Sequence, residues 1–235
     1  MCAAAGGLLA GVVLDTVICR LPAKLFPELR AMPGAPQVWP TRLPDGRSSR
    51  RIQAWRVSQT ARPTQLPLVM LLSALIAGWA TSRFGPGWPA AIHVAWFYGL
   101  VVLAGIDLRH YLLPDALTIG LLALALAASA TGFSGVGPMN AAGGAIGGFS
   151  VLWCLNAGYR RLRKIDGFGG GDLKLMAAIG AWVGMVGTID VLTIASLLAL
   201  SCAVALALLK GGRISLQSRL PFGPFLAAAV ALVIV

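Results

Sequence analysis

The chain has 235 residues, of which 57% are apolar and only 11% are charged, with 19 Lys or Arg against 8 Asp or Glu. Its mean hydropathy of +0.80 lies above the range of soluble globular domains. The composition therefore excludes a soluble enzyme and predicts an integral membrane protein.

Apolar segments of membrane-spanning length recur along the chain. A helix that rises about 1.5 Å per residue needs roughly 20 residues to cross about 30 Å of hydrocarbon. Eight segments approach that length, at about residues 3–19, 66–84, 89–106, 112–132, 137–157, 173–188, 190–209 and 221–235. The sequence thus predicts an all-α membrane protein, a polytopic bundle of about eight transmembrane helices.

Three regions follow from these segments. Residues 1–19 form the first transmembrane helix, and an arginine-rich stretch follows it, the reverse of a cleaved signal peptide. Residues 20–65 are basic and rich in proline, which predicts an irregular cytoplasmic loop domain. Residues 66–235 form a core of seven helices.

The positions of the cations predict the orientation in the membrane. If the spans alternate, every Lys and Arg except Arg83 falls on one side, out of 19 in total. The positive-inside rule makes that side the cytoplasm and places the amino terminus outside. The basic excess therefore indicates topology and anionic membrane lipid, and it argues against a nucleic-acid partner.

Two of the eight acidic residues stand apart from the rest. Asp107 ends the third span and Asp172 opens the sixth, so the alternating topology brings both to the cytoplasmic boundary. Asp115 and Asp190 each begin a span and are interpreted as helix N-caps, with a direct catalytic role as the alternative for Asp115. Asp15 lies about one turn inside the first span, where it can reach the interface, pair with Arg20 or face the bundle interior.

A pair of aspartates at one depth suggests an aspartic-protease dyad. Two close carboxylates repel each other and share one proton, so that the ionised member activates water and the protonated member polarises the scissile carbonyl. The glycines in "GFGGGDLKL", residues 167–175, would give a flexible turn that delivers Asp172 to the membrane edge. Phosphate binding is disfavoured, because the GxxxxGK[ST] pattern is missing.

The sequence gives little support for a metal site or for a nucleophilic catalytic residue. The four cysteines are scattered without a CxxC pair, and the two histidines are isolated from each other. The chain contains no HExxH motif and no serine motif with a histidine partner. We therefore predict no metal site.

Several segments resemble the type IV prepilin peptidases, which belong to the GxGD aspartic proteases of membranes. "GFGGGDLKL" is similar to the second aspartate motif of that family, and "IDLRHYLLPDALT", residues 106–118, is similar to the first. "PFGPFLA", "GVVLDTVICRLP" and "LPLVMLLSALIAGWATSRFG" resemble its carboxy-terminal, amino-terminal and second-span patterns. The resemblance covers nearly the whole chain in the same order.

The resemblance implies a role for each matching residue. Asp107 and Asp172 would be the catalytic pair, and Gly169 and Gly171 would shape the loop. Lys174 would orient the site or contact substrate, with an interfacial anchor as the alternative. The substrate would be a prepilin or pseudopilin, cut between its basic leader and its hydrophobic helix at the cytoplasmic face of the bacterial inner membrane. The peptidase would need no cofactor.

The chain also departs from the family pattern. Many members bind zinc through two CxxC pairs in the first cytoplasmic loop, and residues 20–65 contain no cysteine, so no zinc is expected. Fuller members methylate the new amino terminus with S-adenosylmethionine, and the sequence leaves that activity open. Asp15 stands where relatives often have Asn, and it is therefore a candidate modulator of the pair, as is Asp115.

A non-catalytic membrane scaffold or a transporter that kept the fold is the competing hypothesis. A transporter would show charged groups near mid-membrane and broken helices. Asp107 and Asp172 instead fall at an edge in the predicted topology. Pili, type II secretion and DNA uptake all use such precursors, and no pattern in the sequence selects among them or sets an oligomeric state.

Overall fold

A computed structural model describes residues 10, 11, 13, 14, 17, 18, 66–111, 113–163, 169–209 and 221–234. In these ranges the regular elements are all helical: α1 Leu66–Phe84, α2 Trp88–His110, α3 Asp115–Ala130, α4 Pro138–Arg163, α5 Gly170–Leu209 and α6 Gly223–Ile234. Residues 10, 11, 13, 14, 17 and 18 are helical as well. The all-α prediction is confirmed for the described residues, whereas the predicted 20–65 loop domain lies outside them.

Three stretches in the described ranges are long and apolar enough to cross a membrane: Trp88–Leu108, Pro138–Leu162 and Gly170–Leu209. The other apolar helices are shorter, at Val69–Phe84, Asp115–Ala130 and Gly223–Ile234. Many large apolar side chains on α5 face outward, among them Val186 and Leu197, which are 74% and 60% exposed. Such a surface suits contact with lipid, because a helix that is apolar all round needs an apolar environment.

The chain reverses direction inside α5. Gly184 interrupts the helix with φ 77° and ψ −178°. Residues 180 and 188 would be about 12 Å apart along a continuous helix, yet a Cβ built on Gly180 would lie only 3.0 Å from Oγ1 of Thr188. The two halves of α5 therefore fold back against each other, because only glycine adopts this backbone conformation without strain.

This turn corrects two predictions. The break that we expected between residues 188 and 190 occurs earlier, at Gly184. Asp190 is therefore not a helix N-cap but an exposed residue inside the second half of α5. The cap after the turn comes from α4 instead, where Oδ1 of Asn140 accepts a hydrogen bond of 2.9 Å from the backbone N–H of Met185.

Glycines allow α4 and the first half of α5 to approach closely. A Cβ on either Gly144 or Gly180 would collide with the backbone of the other residue. Small residues at such contacts let two membrane helices pack through their backbones. Beside this contact Trp96 of α2 stacks on Trp182 of α5, with ring centroids 4.5 Å apart, and both side chains belong to the buried core.

Four helix ends meet at one end of the bundle. They are the carboxyl end of α2 and the amino ends of α3, α5 and α6, which contact one another through side chains and backbone. The turn that leaves α2 is closed at Tyr111, which has φ 53° and donates its N–H to the carbonyl oxygen of Asp107 at 2.9 Å. This arrangement gathers the residues of the two aspartate motifs.

Candidate active site

Asp107 lies in the last turn of α2 and is only 6% exposed. Its Oδ2 accepts a hydrogen bond of 2.9 Å from the backbone N–H of Gly223. Gly223 is the first residue of α6, so this N–H is one of the donors that a helix leaves unused at its amino end. The amino end of α6 is therefore directed at the buried carboxyl group, where its partial positive charge favours an anion.

Asp172 lies in the first turn of α5 and is partly buried. Its Oδ2 accepts a hydrogen bond of 3.1 Å from the backbone N–H of Gly169, while the N–H of Asp172 donates to the carbonyl oxygen of Gly169, also at 3.1 Å. A carboxylate three residues into a helix commonly reaches back in this way to the residue before it. The helix start itself thus orients the side chain of Asp172.

The two aspartates face the same site. Leu113, six residues after Asp107, packs against Gly171, the residue before Asp172, so both carboxyl groups belong to the same end of the bundle. Like charges at short range disfavour ionisation of both groups, and one shared proton relieves the repulsion. A half-protonated pair of this kind can activate a water molecule with one member and polarise a carbonyl with the other.

The glycines before Asp172 have different environments. A Cβ on Gly171 would lie 2.5 Å from Cβ of Leu113, whereas a Cβ on Gly170 would meet nothing within 4 Å. Both residues are helical, so the flexible turn that we predicted is not the reason for glycine at these two positions. Gly171 instead provides the space in which the start of α5 packs against the segment before α3.

Lys174 and Asp115 form an ion pair beside this contact. Nζ of Lys174 lies 2.6 Å from Oδ2 of Asp115, with the two side chains 38% and 63% exposed. The N-cap of α3 is Pro114, and no side-chain hydrogen bond caps the helix. The prediction that Asp115 is an N-cap is therefore wrong, because its carboxylate pairs with Lys174.

The remaining candidate residues are Asp15 and Gly169. Asp15 lies outside the described residues, so its modulating role stays a prediction. Gly169 does not contact α3 in the way that Gly171 does, and a Cβ on it would lie 3.5 Å from Oδ2 of Asp172. In the described part of the chain, no group of three or more His, Cys, Asp or Glu side chains could hold a metal ion.

The sequence did not reveal the part that Gly223 plays. A Cβ there would lie 2.8 Å from Oδ2 of Asp107, so the position has no room for a side chain. The segment "PFGPFLA" resembled a family pattern, but nothing in it indicated a contact with a residue 116 positions earlier. The sequence signal that could have indicated this role was a glycine at the start of a predicted span, where the backbone N–H has no partner within the helix.

An apolar groove of about 520 Å³ runs beside the site. It is lined by α2, α1, α6 and Ile18, and its walls are almost entirely hydrocarbon. Three lining residues, Gly105, Leu108 and Pro224, are close neighbours in sequence of Asp107 and Gly223. The groove therefore offers apolar surface next to a pair of carboxyl groups.

Comparison with known proteins identifies a family that the chain matches. The profile of the "Type IV leader peptidase family" matches residues 94–204, a range that contains both aspartates. No solved structure matches the chain at a significant level.

Several curated relatives carry the name "Prepilin leader peptidase/N-methyltransferase". The protein from Xanthomonas campestris pv. campestris is 32% identical over 255 aligned positions, which cover 97% of this chain and 88% of the relative. The protein from Burkholderia pseudomallei is 38% identical over 177 residues, or 75% of this chain and 56% of the relative. The protein from Aeromonas salmonicida is 40% identical over 178 residues, or 74% and 59%. The match thus spans little more than half the length of the last two relatives.

Proposed function

Since the chain belongs to the type IV leader peptidase family, we propose that it is a membrane aspartic endopeptidase that removes the leader from prepilin or pseudopilin precursors. The proposal depends above all on the position of Asp107 and Asp172 at one end of the bundle, where the segment after α2 packs against the start of α5. The relatives' printed name supports the choice of substrate.

Hydrolysis follows from the chemistry of the pair. The ionised aspartate takes a proton from a water molecule, whose oxygen attacks the carbonyl carbon of the scissile peptide bond. The protonated aspartate hydrogen-bonds to the carbonyl oxygen and stabilises the tetrahedral intermediate. As the C–N bond breaks, a proton passes to the leaving nitrogen, and the products are a carboxyl group on the leader and a new amino terminus.

The hydrogen bonds of the two aspartates are compatible with one acting as general base and the other as general acid. In the described part of the chain, the bonds from Gly223 to Asp107 and from Gly169 to Asp172 both use Oδ2. We assign the reacting water and the carbonyl to the Oδ1 atoms. Two rigid backbone donors thus hold the carboxyl groups before the substrate arrives, which lowers the cost of reorganisation during the reaction.

The location of the pair supports a substrate with a single hydrophobic helix. We place the aspartates at the cytoplasmic face of the bacterial inner membrane, in a bundle of about eight spans. Arg160 and Arg161 in the last turn of α4, together with Lys174, lie at the end of the bundle that carries the aspartates, and Arg83 lies at the opposite end, as the positive-inside rule requires. The apolar groove beside Asp107 suits the chemistry of such a helix.

Methyl transfer is a separate prediction, based on the second half of the relatives' name. No contact among the described residues indicates where S-adenosylmethionine would bind, so methyl transfer stays a prediction. The peptidase reaction itself requires no cofactor and no zinc.

One experiment tests both activities. The purified protein in lipid nanodiscs is incubated with a purified prepilin, with or without S-adenosylmethionine, and the intact mass of the pilin is measured. Loss of the leader mass supports the peptidase, and a further gain of one methyl group only with the cofactor supports methyl transfer. An unchanged prepilin mass over a range of lipids and substrates would instead favour a non-catalytic scaffold.

A further inference from the structure

The ion pair of Asp115 and Lys174 joins the two segments that carry the predicted catalytic residues. Asp115 is the first residue of α3, in the first aspartate motif, and Lys174 lies in the second turn of α5, two residues after Asp172. Their charged atoms are 2.6 Å apart. The contact therefore crosses from one motif to the other at the end of the bundle where the aspartates meet.

A second contact at the same junction is apolar. Gly171 packs so closely on Leu113 that no Cβ would fit between them. Leu113 and Asp115 on one side thus contact Gly171 and Lys174 on the other, which lie one residue before and two residues after Asp172. Two contacts that flank one residue restrict both the position and the rotation of the backbone that carries it.

The exposure of the pair indicates that it contributes little to folding. Side chains that are 38% and 63% exposed are well screened by water, and exposed pairs of this kind contribute little to stability. Catalysis is more sensitive to geometry, because a displacement of about 1 Å can slow an enzyme on the order of 100-fold. The effect of such a pair should therefore appear in the rate of reaction.

We propose that Asp115 and Lys174 are positioning residues, which hold the start of α5 against the start of α3 so that the carboxyl group of Asp172 stays opposite Asp107. This inference rests on the proposed peptidase function. It differs from a direct contact of Lys174 with substrate, because in that case the partner Asp115 would be dispensable and loss of Lys174 would weaken substrate binding.

A double-mutant cycle separates these roles. The variants are Asp115→Asn, Lys174→Gln, the combination of both, and the charge swap Asp115→Lys with Lys174→Asp. Matched controls are Asp190→Asn and Arg83→Gln, which remove exposed charges far from the site. Each purified protein is assayed for kcat and KM on prepilin and for its midpoint of thermal unfolding.

Each single variant should lower kcat about 10-fold with little change in KM, because misplacement of a reacting group slows the chemical step. The doubly neutral variant should be no slower than the singles, since either one already removes the pair. The charge swap should recover most of kcat. Wild-type kcat in both singles, or a raised KM for Lys174→Gln alone with normal Asp115→Asn, would overturn the proposal.

Hydrogen exchange gives a readout that needs no substrate. Amides of Gly171, Asp172 and Leu173 should exchange faster in Asp115→Asn than in wild type or Asp190→Asn, because the start of α5 is less restrained. Unchanged exchange would contradict the positioning role even if the protein proved not to cleave prepilin. Wild-type protein that cleaves no prepilin while exchange behaves as expected would instead reject only the proposed function.

Discussion

The backbone N–H of Gly223 donates a hydrogen bond of 2.9 Å to Oδ2 of Asp107, across 116 positions of sequence. The carboxy-terminal helix therefore contributes directly to the environment of a predicted catalytic residue. Gly223 and Asp107 are both buried, and neither can shift without disturbing the other. This contact explains how a segment far from either aspartate motif can belong to the same site.

Substitution of Gly223 by Ala should lower kcat at least about 10-fold, since a misplaced reacting group costs rate steeply. The added Cβ would lie 2.8 Å from Oδ2 of Asp107 and would displace that carboxyl group. The control is Gly120→Ala on α3, where a Cβ would meet nothing within 4 Å. Prepilin cleavage rates for the two variants, measured side by side, check the prediction. Equal rates would show that the α6 contact does not matter.

Replacement of either aspartate by Asn should reduce cleavage at least about 100-fold, because general acid–base catalysis is then lost. Asn keeps the size of the side chain and can still accept the hydrogen bond from Gly223 or Gly169. Both variants should therefore insert and unfold like wild type. The measurement is single-turnover cleavage of prepilin at matched protein levels, with Asp190→Asn as control. If the Asn variant of one aspartate still cleaves prepilin, that aspartate is not part of the mechanism.

Substitution by Ala should have different effects at Gly170 and Gly171, the two glycines directly before Asp172. Gly171→Ala introduces a Cβ 2.5 Å from Cβ of Leu113, whereas Gly170→Ala introduces one into open space. Overpacking of this kind typically costs about 1–3 kcal/mol, and here it would also displace Asp172. We expect a large loss of kcat for Gly171→Ala and near wild-type activity for Gly170→Ala. The reverse order would show that backbone freedom at residue 170 is what the motif requires.

Close approach of α4 and α5 should make Gly180 intolerant of a side chain. Gly180→Ala would drive a methyl group into the carbonyl of Gly144, and overpacking should destabilise the fold by about 1–3 kcal/mol. The control is Gly147→Ala, which lies on α4 and meets nothing within 4 Å. The midpoint of denaturant unfolding in detergent should fall for the first variant only. A common midpoint would indicate that the two helices can separate freely.

Asn140 should stabilise the turn at Gly184. Asn140→Ala removes the acceptor for the N–H of Met185, and loss of a cap typically costs about 1 kcal/mol. Asn140→Asp keeps an acceptor oxygen at the same place and should be closer to wild type. Thermal unfolding of the three proteins tests the cap. If Ala and Asp behave alike, the hydrogen bond is not what stabilises this turn.

The order of helices could be predicted because each is an uninterrupted apolar run of nearly the right length. The predicted 66–84 span coincides with Leu66–Phe84, and the following spans begin within three residues of α2, α3 and α4, although α4 ends six residues later than predicted. The break in α5 was misplaced because Gly184 is one of many glycines in an apolar sequence. Hydropathy carries no information about which glycine adopts a positive φ.

Asp107 and Asp172 could be singled out because charges are rare in this chain and these two fall at the ends of spans. Lys174 was recognised as an orienting candidate, but its partner was not, since Asp115 at a helix start looked like a cap. Gly223 and Asn140 were missed altogether. Their contacts connect residues 116 and 45 positions apart, and such pairs depend on how helices pack.

The amino-acid sequence by itself determined that this protein is helical, belongs in a membrane and carries two exceptional aspartates, because hydropathy and charge act locally along the chain. Only the tertiary structure decided that Gly223 donates to Asp107, that Lys174 pairs with Asp115 and that α5 folds back at Gly184. Those relationships arise when distant helix ends are brought together, and the free energy of that packing depends on shape at positions that no single segment specifies.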